Sequence, residues 1–187
     1  PSTYTGLGVQ LMNTGEKSGT WGTLTNTNWN IMEQISGGYT AQALSSTPTT
    51  LSVSDGTAGA TLAHRIIEFT GTIGENFVVT IPLDVQTFYI IKNGTSGAYT
   101  VQFKYVSGSG SSVTWSTTDK GTKLIYAAAD DATNPNIVDT GFLSNVVDDT
   151  SPQLGGNLDI QSYGLTSSTN IMNSTISGTG KTMILGF

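Results

Sequence analysis

A chain of 187 residues has room for one ordinary domain, or for a small domain with extra segments at its ends. Thr, Ser and Gly dominate it, charged residues make up only 11%, and the 36% hydrophobic share includes 3 Trp, 7 Tyr and 6 Phe. That composition points to a turn-rich, mainly β protein and away from a disordered linker. A net charge of −6 leaves no basic footprint for a phosphate backbone, which excludes nucleic acid as a partner. No apolar run approaches the length of a membrane-spanning helix, so no membrane insertion is expected. Zero cysteines remove disulfides, thiolate metal sites and cysteine nucleophiles together.

Residues 1–38 read as a segment without a core of its own. No basic-then-apolar export signal opens it, and Pro1 fits the residue after a removed initiator Met. A Gly/Thr-rich stretch leads to one short helix of barely three turns, which Asn26 to Asn28 can open by capping and Gly37-Gly38 can close. Trp29, Met32 and Ile35 or Ser36 share one face of it. So short a helix must lie on another surface. Trp21, Trp29 and Met32 are the candidate partner-binding residues, against the alternative that the tryptophans pack as a lid on the chain's own β-domain.

From 39 to 142 the hydrophobic period becomes two. Tyr99, Val101, Phe103 and Tyr105 alternate with Thr100, Gln102 and Lys104. Further strands are expected at Thr50 to Val53, Arg65 to Thr70, Phe77 to Ile81, Thr87 to Lys92, Val113 to Ser116 and Thr122 to Ala127. Turn signals between them predict an antiparallel β-sandwich or jelly-roll-like domain, with a hairpin around Asn93 to Gly97. Its core is expected to include Ile67, Phe69, Val79, Ile81, Tyr89, Ile91, Val101, Phe103, Leu124 and Tyr126.

Residues 143–187 carry single apolar residues among Ser, Thr, Gly and Asn. Leu154, Leu158, Ile160, Leu165, Ile171 and Ile176 are too dispersed for a private core, which fits an extended β-rich stalk in which identical chains cover one another. These six are the candidate homotrimer interface. The last residues, Lys181 to Phe187, lack a closing signal and leave room for a longer chain.

Chemistry-bearing motifs are sparse. The single histidine, His64, reads as a strand-edge residue, because no second member of a triad can be named around it. Gly180-Lys181-Thr182 imitates the end of a phosphate-binding loop, but Thr175 stands where the first glycine is needed. Asp130, Asp131 and Asp139 with Asn134 and Asn136 could gather oxygen ligands for calcium, although acidic turns are usually just solvated. Asn93-Gly94-Thr95 and Asn173-Ser174-Thr175 have the form of glycosylation sequons and read as turns. The sequence offers no catalytic residue, metal ligand or cofactor to name.

Gly15-Glu16-Lys17-Ser18-Gly19-Thr20-Trp21-Gly22-Thr23-Leu24-Thr25-Asn26-Thr27-Asn28-Trp29, with Glu33-Gln34 after it, resembles the opening of tail-fibre and virion structural proteins of tailed bacteriophages, marine ones in particular. Phe77 to Pro82 followed by Tyr89 to Tyr99 is similar to their β-domain, and Asp149 to Asp159 to a motif of their stalks. The loop Asp130 to Asn136 departs from the Asp-Gly-Thr-Asn-like loop common there. The resemblance implies a non-enzymatic homotrimer, assembled in the host cytoplasm, fixed to other tail or virion proteins by its N-terminus and leading to a host-recognition tip. Three competing functions remain: a module that binds host surface glycan, a head fibre or decoration protein, and a polysaccharide-degrading tail spike. Exposed aromatics would favour the first and facing carboxylates in a cleft the last.

Overall fold

The computed structural model describes residues 1–142. The proposed stalk, its six interface residues and the Lys181 motif lie outside the described residues.

Two short strands, β1 (Thr3–Tyr4) and β2 (Gln10–Leu11), form an antiparallel ribbon ahead of a helix, α1 (Trp21–Gly37). Nine strands follow: β3 (Tyr39–Ala43), β4 (Thr49–Thr50), β5 (Ile66–Thr70), β6 (Phe77–Ile81), β7 (Thr87–Asn93), β8 (Val101–Tyr105), β9 (Val113–Trp115), β10 (Thr122–Ala127) and β11 (Ile137–Asp139). They make a five-stranded sheet in the order β11-β10-β7-β5-β3 and a four-stranded sheet in the order β4-β6-β8-β9.

The protein is mainly β, but its core winding is not antiparallel. From β3 to β8 consecutive strands alternate between the sheets, so each sheet gains every second strand. Strands β3, β5 and β7 pair in parallel in one sheet, while β4, β6 and β8 pair in parallel in the other. A parallel pair needs a crossover, and here the crossover is a strand of the facing sheet rather than a helix. Ile66 stands beside Ile90 and Phe77 beside Val101, so the offset along the chain is the same in both sheets. Among the described strands of these two sheets, only β9, β10 and β11 add antiparallel pairs.

The expected hairpin at Asn93 to Gly97 is therefore a corner between sheets. Asn93 is buried and its side-chain oxygen accepts bonds from the Thr95 amide and hydroxyl, which turns the chain, while the Gly94 amide donates to Phe69 O at 2.8 Å. This corner stacks on the one after β5: the Ser96 amide donates to Gly71 O (2.9 Å) and the Ile73 amide to Ser96 O (3.0 Å). Gly97 has φ +102°, and a Cβ there would come within 2.3 Å of Ile73 O. Glycine is required on both counts.

The inner faces of the two sheets enclose one core. Phe69 and Tyr89 from the larger sheet meet Phe103 of the smaller at ring-centre separations of 6.2 and 6.4 Å, and Phe69 meets Trp115 edge-on at 6.0 Å. The buried Tyr89 hydroxyl donates to Leu62 O and the Tyr105 hydroxyl to Val85 O, both at 2.8 Å, so neither is left unpaired. Eight of the ten expected core residues are buried as predicted. Leu124 and Tyr126 are the exceptions. In β10 it is Ile125 and Ala127 that face inward, because each alternating set of this strand holds two apolar residues and period two does not choose between them.

That choice leaves the two sheets with different outer faces. On the smaller sheet the outer positions are polar apart from Val78, and several bond one another or a neighbouring turn, with Thr50 to Thr80 at 2.9 Å and Gln102 to Ser112 at 3.0 Å. On the larger, register aligns Leu124, Ile90, Ile66 and Tyr39 in one row across four strands, with Tyr126 and Phe88 paired on one side and Lys92 beside Glu68 on the other.

Candidate attachment surface

The helix begins well before the predicted opening at Asn26. Trp21 follows an N-cap Thr20 whose hydroxyl turns back to Lys17 O rather than capping. Thr27 bonds back to Thr23 O at 3.1 Å, which satisfies its hydroxyl within the helix and lets a Thr-rich stretch stay helical. At 17 residues α1 is about 25 Å long. Its end matches expectation: the Gly38 amide donates to Gln34 O, and a Cβ on Gly38 would strike that same carbonyl at 2.8 Å.

Asn28, expected as a cap, does other work. Its side-chain oxygen accepts from the Gln10 amide and its nitrogen donates to Gln10 O, both at 2.9 Å, so the side chain acts as a peptide group that ties the ribbon to the helix. Gln34 fixes the far end by accepting from the Gly59 amide at 3.1 Å, and its own carbonyl accepts from Arg65 N. Ile31 is fully buried beneath. The loop before the helix is organised by Glu16, whose carboxylate accepts from the Asn13 amide and the Ser2 hydroxyl; these bonds, the Asn13 one first, hold its pKa below the usual range.

With Ile31 inward, an arc that runs from the flank of the helix to its far side carries Trp21, Met32 and Trp29, exposed to 63%, 47% and 62%. Positions 21 and 32 are three turns apart and 29 and 32 one turn apart, so the three form a stripe along the helix. Leu11 and Met12, next in sequence to the Gln10 that Asn28 holds, are also exposed. At that exposure neither tryptophan is covered as a buried lid residue would be. Isolated exposed apolar residues are ordinary, but two tryptophans on one face of a braced helix are not.

The other candidate chemistries resolve into structure. His64 closes a short 3-10 turn, Thr61–Ala63, and its Nδ1 lies 2.8 Å from Ala60 O. It borders an open groove of about 740 Å³ with Glu33, Gln34 and Tyr39 at the C-terminal end of α1. Asp131 accepts from the Thr133 and Asn134 amides, and Asp130 from the Asn136 amide and side chain. Asn134 and Asn136 in turn accept from the Ser109 and Ser111 amides, which zips this loop to the β8–β9 turn. Among the described residues no group of three or more His, Cys, Asp or Glu side chains is placed to hold a metal ion. No family model, curated protein or solved structure matches the chain.

Proposed function

We propose that the chain is a structural component of a tailed-phage particle, the virion-proximal part of a tail fibre, held to another virion protein by the outer face of α1. The observation that carries this reading is the Trp21, Trp29 and Met32 stripe, exposed on a helix whose other face is already occupied. Tryptophans on a rigid support are the side chains that contribute most when an interface closes over them, and bracing by Asn28 and Gln34 lowers the ordering cost of binding. The resemblance of the segment around Trp21 to the opening of virion proteins points the same way. Threefold assembly through residues 143–187, with Leu154, Leu158, Ile160, Leu165, Ile171 and Ile176 shared between copies, belongs to the same reading.

Deleting residues 1–38 is a poor test, since Ile31 and the Gln34 bonds support the β-domain. The discriminating variant is Trp21→Ser with Trp29→Ser in the full chain. Both sites are exposed, so stability should change by less than about 0.5 kcal/mol, whereas the loss of two anchors of ~2 kcal/mol each should strip the fibre from purified particles. Particles that keep the doubly substituted chain at normal copy number overturn the attachment role.

A further inference from the structure

We infer that the outer face of the five-stranded sheet is a binding surface for a neutral oligosaccharide. Tyr39, Phe88 and Tyr126 are exposed to 56%, 50% and 43% on it, around the half-buried Ile66, Ile90 and Leu124. Each is held in place by the strand register rather than by a loop. Arg65 steadies Phe88 further: its guanidinium carbon lies 3.8 Å from the ring centre, and its Nη1 donates to Thr87 Oγ1 (2.7 Å) and to Phe88 O.

Beside this platform runs a ladder of polar groups. The Tyr39 hydroxyl donates to one Glu68 carboxylate oxygen at 2.8 Å, and the Lys92 ammonium contacts the other at 2.9 Å. Aromatic planes next to a fixed row of mixed donors and acceptors suit a ligand whose rings carry apolar C–H faces and hydroxyl rims, which is the surface chemistry of a pyranose. Glu68 and Lys92 neutralise each other, the one further cation there among the described residues, Arg65, is turned onto the Phe88 ring with its Nη1 donating to Thr87 Oγ1 and Phe88 O, and the chain as a whole carries −6, so the surface does not select an acidic polymer. The opposite sheet's outer face, with Thr50, Thr80, Gln102, Lys104 and Thr114 around Val78, carries no aromatic ring among the described residues and offers no such platform.

Size separates this occupant from a second copy of the chain. Three inter-strand spacings across and four residues along give about 14 Å by about 14 Å, roughly 200 Å², a quarter of the ~800 Å² that each partner gives to an ordinary protein interface. Tyr39 and Tyr126 lie three strands and one row apart, about 16 Å, which spans a short oligosaccharide rather than a single sugar.

The test is to probe the full chain on an array of neutral pyranose oligosaccharides and to titrate the best-bound member calorimetrically. The expected result is binding that weakens roughly tenfold in both Tyr39→Ala and Tyr126→Ala, while Trp29→Ala binds normally. Both tyrosines are exposed, and near-UV circular dichroism verifies that each variant is folded. Because Trp29 belongs to the attachment stripe, the Trp29 arm separates failure of this inference from failure of that reading. No binding across the array, or binding that both tyrosine variants retain, overturns the inference. So does a light-scattering mass that falls on Tyr126→Ala, which would give the face to a second copy.

Discussion

Replacing Gly97 by alanine tests the stacked corners directly, because Gly59 supplies a matched control. Gly97 and Gly59 have φ of +102° and +100°, so an alanine at either is strained, by about 1–2 kcal/mol. They differ in surroundings. A Cβ at Gly59 meets nothing within 4 Å, whereas at Gly97 it would sit 2.3 Å from Ile73 O, about 1 Å inside the closest tolerable contact. Relief requires the two corners to part, which strains the Ile73-to-Ser96 and Ser96-to-Gly71 bonds. Losing both adds about 2–3 kcal/mol. Urea unfolding followed by the fluorescence of the buried Trp115 should therefore give Gly97→Ala a total cost of about 3–5 kcal/mol against about 1–2 kcal/mol for Gly59→Ala, at equal m values. A chain that made a simple hairpin between β7 and β8 would have no stacked corner. Equal costs for the two substitutions, within about 0.5 kcal/mol, would refute the coil winding.

Register in β10 has its own check: Ile125→Ala, which opens a cavity, should cost about 2–5 kcal/mol in the same assay, while Leu124→Ala should cost about 1 kcal/mol, and the reverse order would put β10 the other way round. Acid should release the loop at 130–136. Bonds from Asn136 to Asp130 and from the Asn134 and Thr133 amides to Asp131 hold both carboxyls below their ordinary value of 3.8. The depressed folded-state value means that their contribution is present above about pH 4 and is lost as pH falls through that lower value. Hydrogen exchange at the Asn134 and Asn136 amides should accelerate relative to the core below about pH 4, and a constant ratio would count against it.

Much of the strand inventory was legible because one face of each strand is buried. Phe77–Ile81 and Thr122–Ala127 coincide with expectation, and β5, β7, β8 and β9 differ only slightly at their ends. What alternation does not encode is the partner. Phe103 faces inward whether β8 pairs with β7 as a hairpin or with β6 in parallel, and the Asn93-Gly94 signal favours the wrong one. A better signal lies in the sequence itself: Phe77, Val79 and Ile81 recur as Val101, Phe103 and Tyr105, and Ile66-Ile67 as Ile90-Ile91, at one and the same spacing. Strands β3 and β11 leave little trace in the sequence because Tyr39–Ala43 and Ile137–Asp139 are short, with a single large apolar residue or two to mark them. On the helix, spacing groups Trp29 and Met32 correctly but does not say whether their face turns toward the β-domain. Ile31 settles that, since a fully buried isoleucine fixes the rotation of everything else on α1. The aromatic sheet face is hidden for a related reason: alternation alone puts Tyr126 in the core, and Tyr39 in no strand at all.

The equal offset in both sheets, Ile66 to Ile90 and Phe77 to Val101, makes one circuit of the chain a unit of length. Duplicating residues 66–89 would insert one extra rung into each sheet and lengthen the stack by about 4.8 Å, without disturbing the closing strands or altering which side chains face the core. Changes of other sizes have to be taken up in a bulge. The arc between β4 and β5 already does this, since the circuits from Tyr39 to Ile66 and from Thr49 to Val79 are both longer than the one from Ile66 to Ile90. Spacing along such a stack can therefore evolve in discrete steps, by copying a circuit, while both ends keep the surfaces they began with.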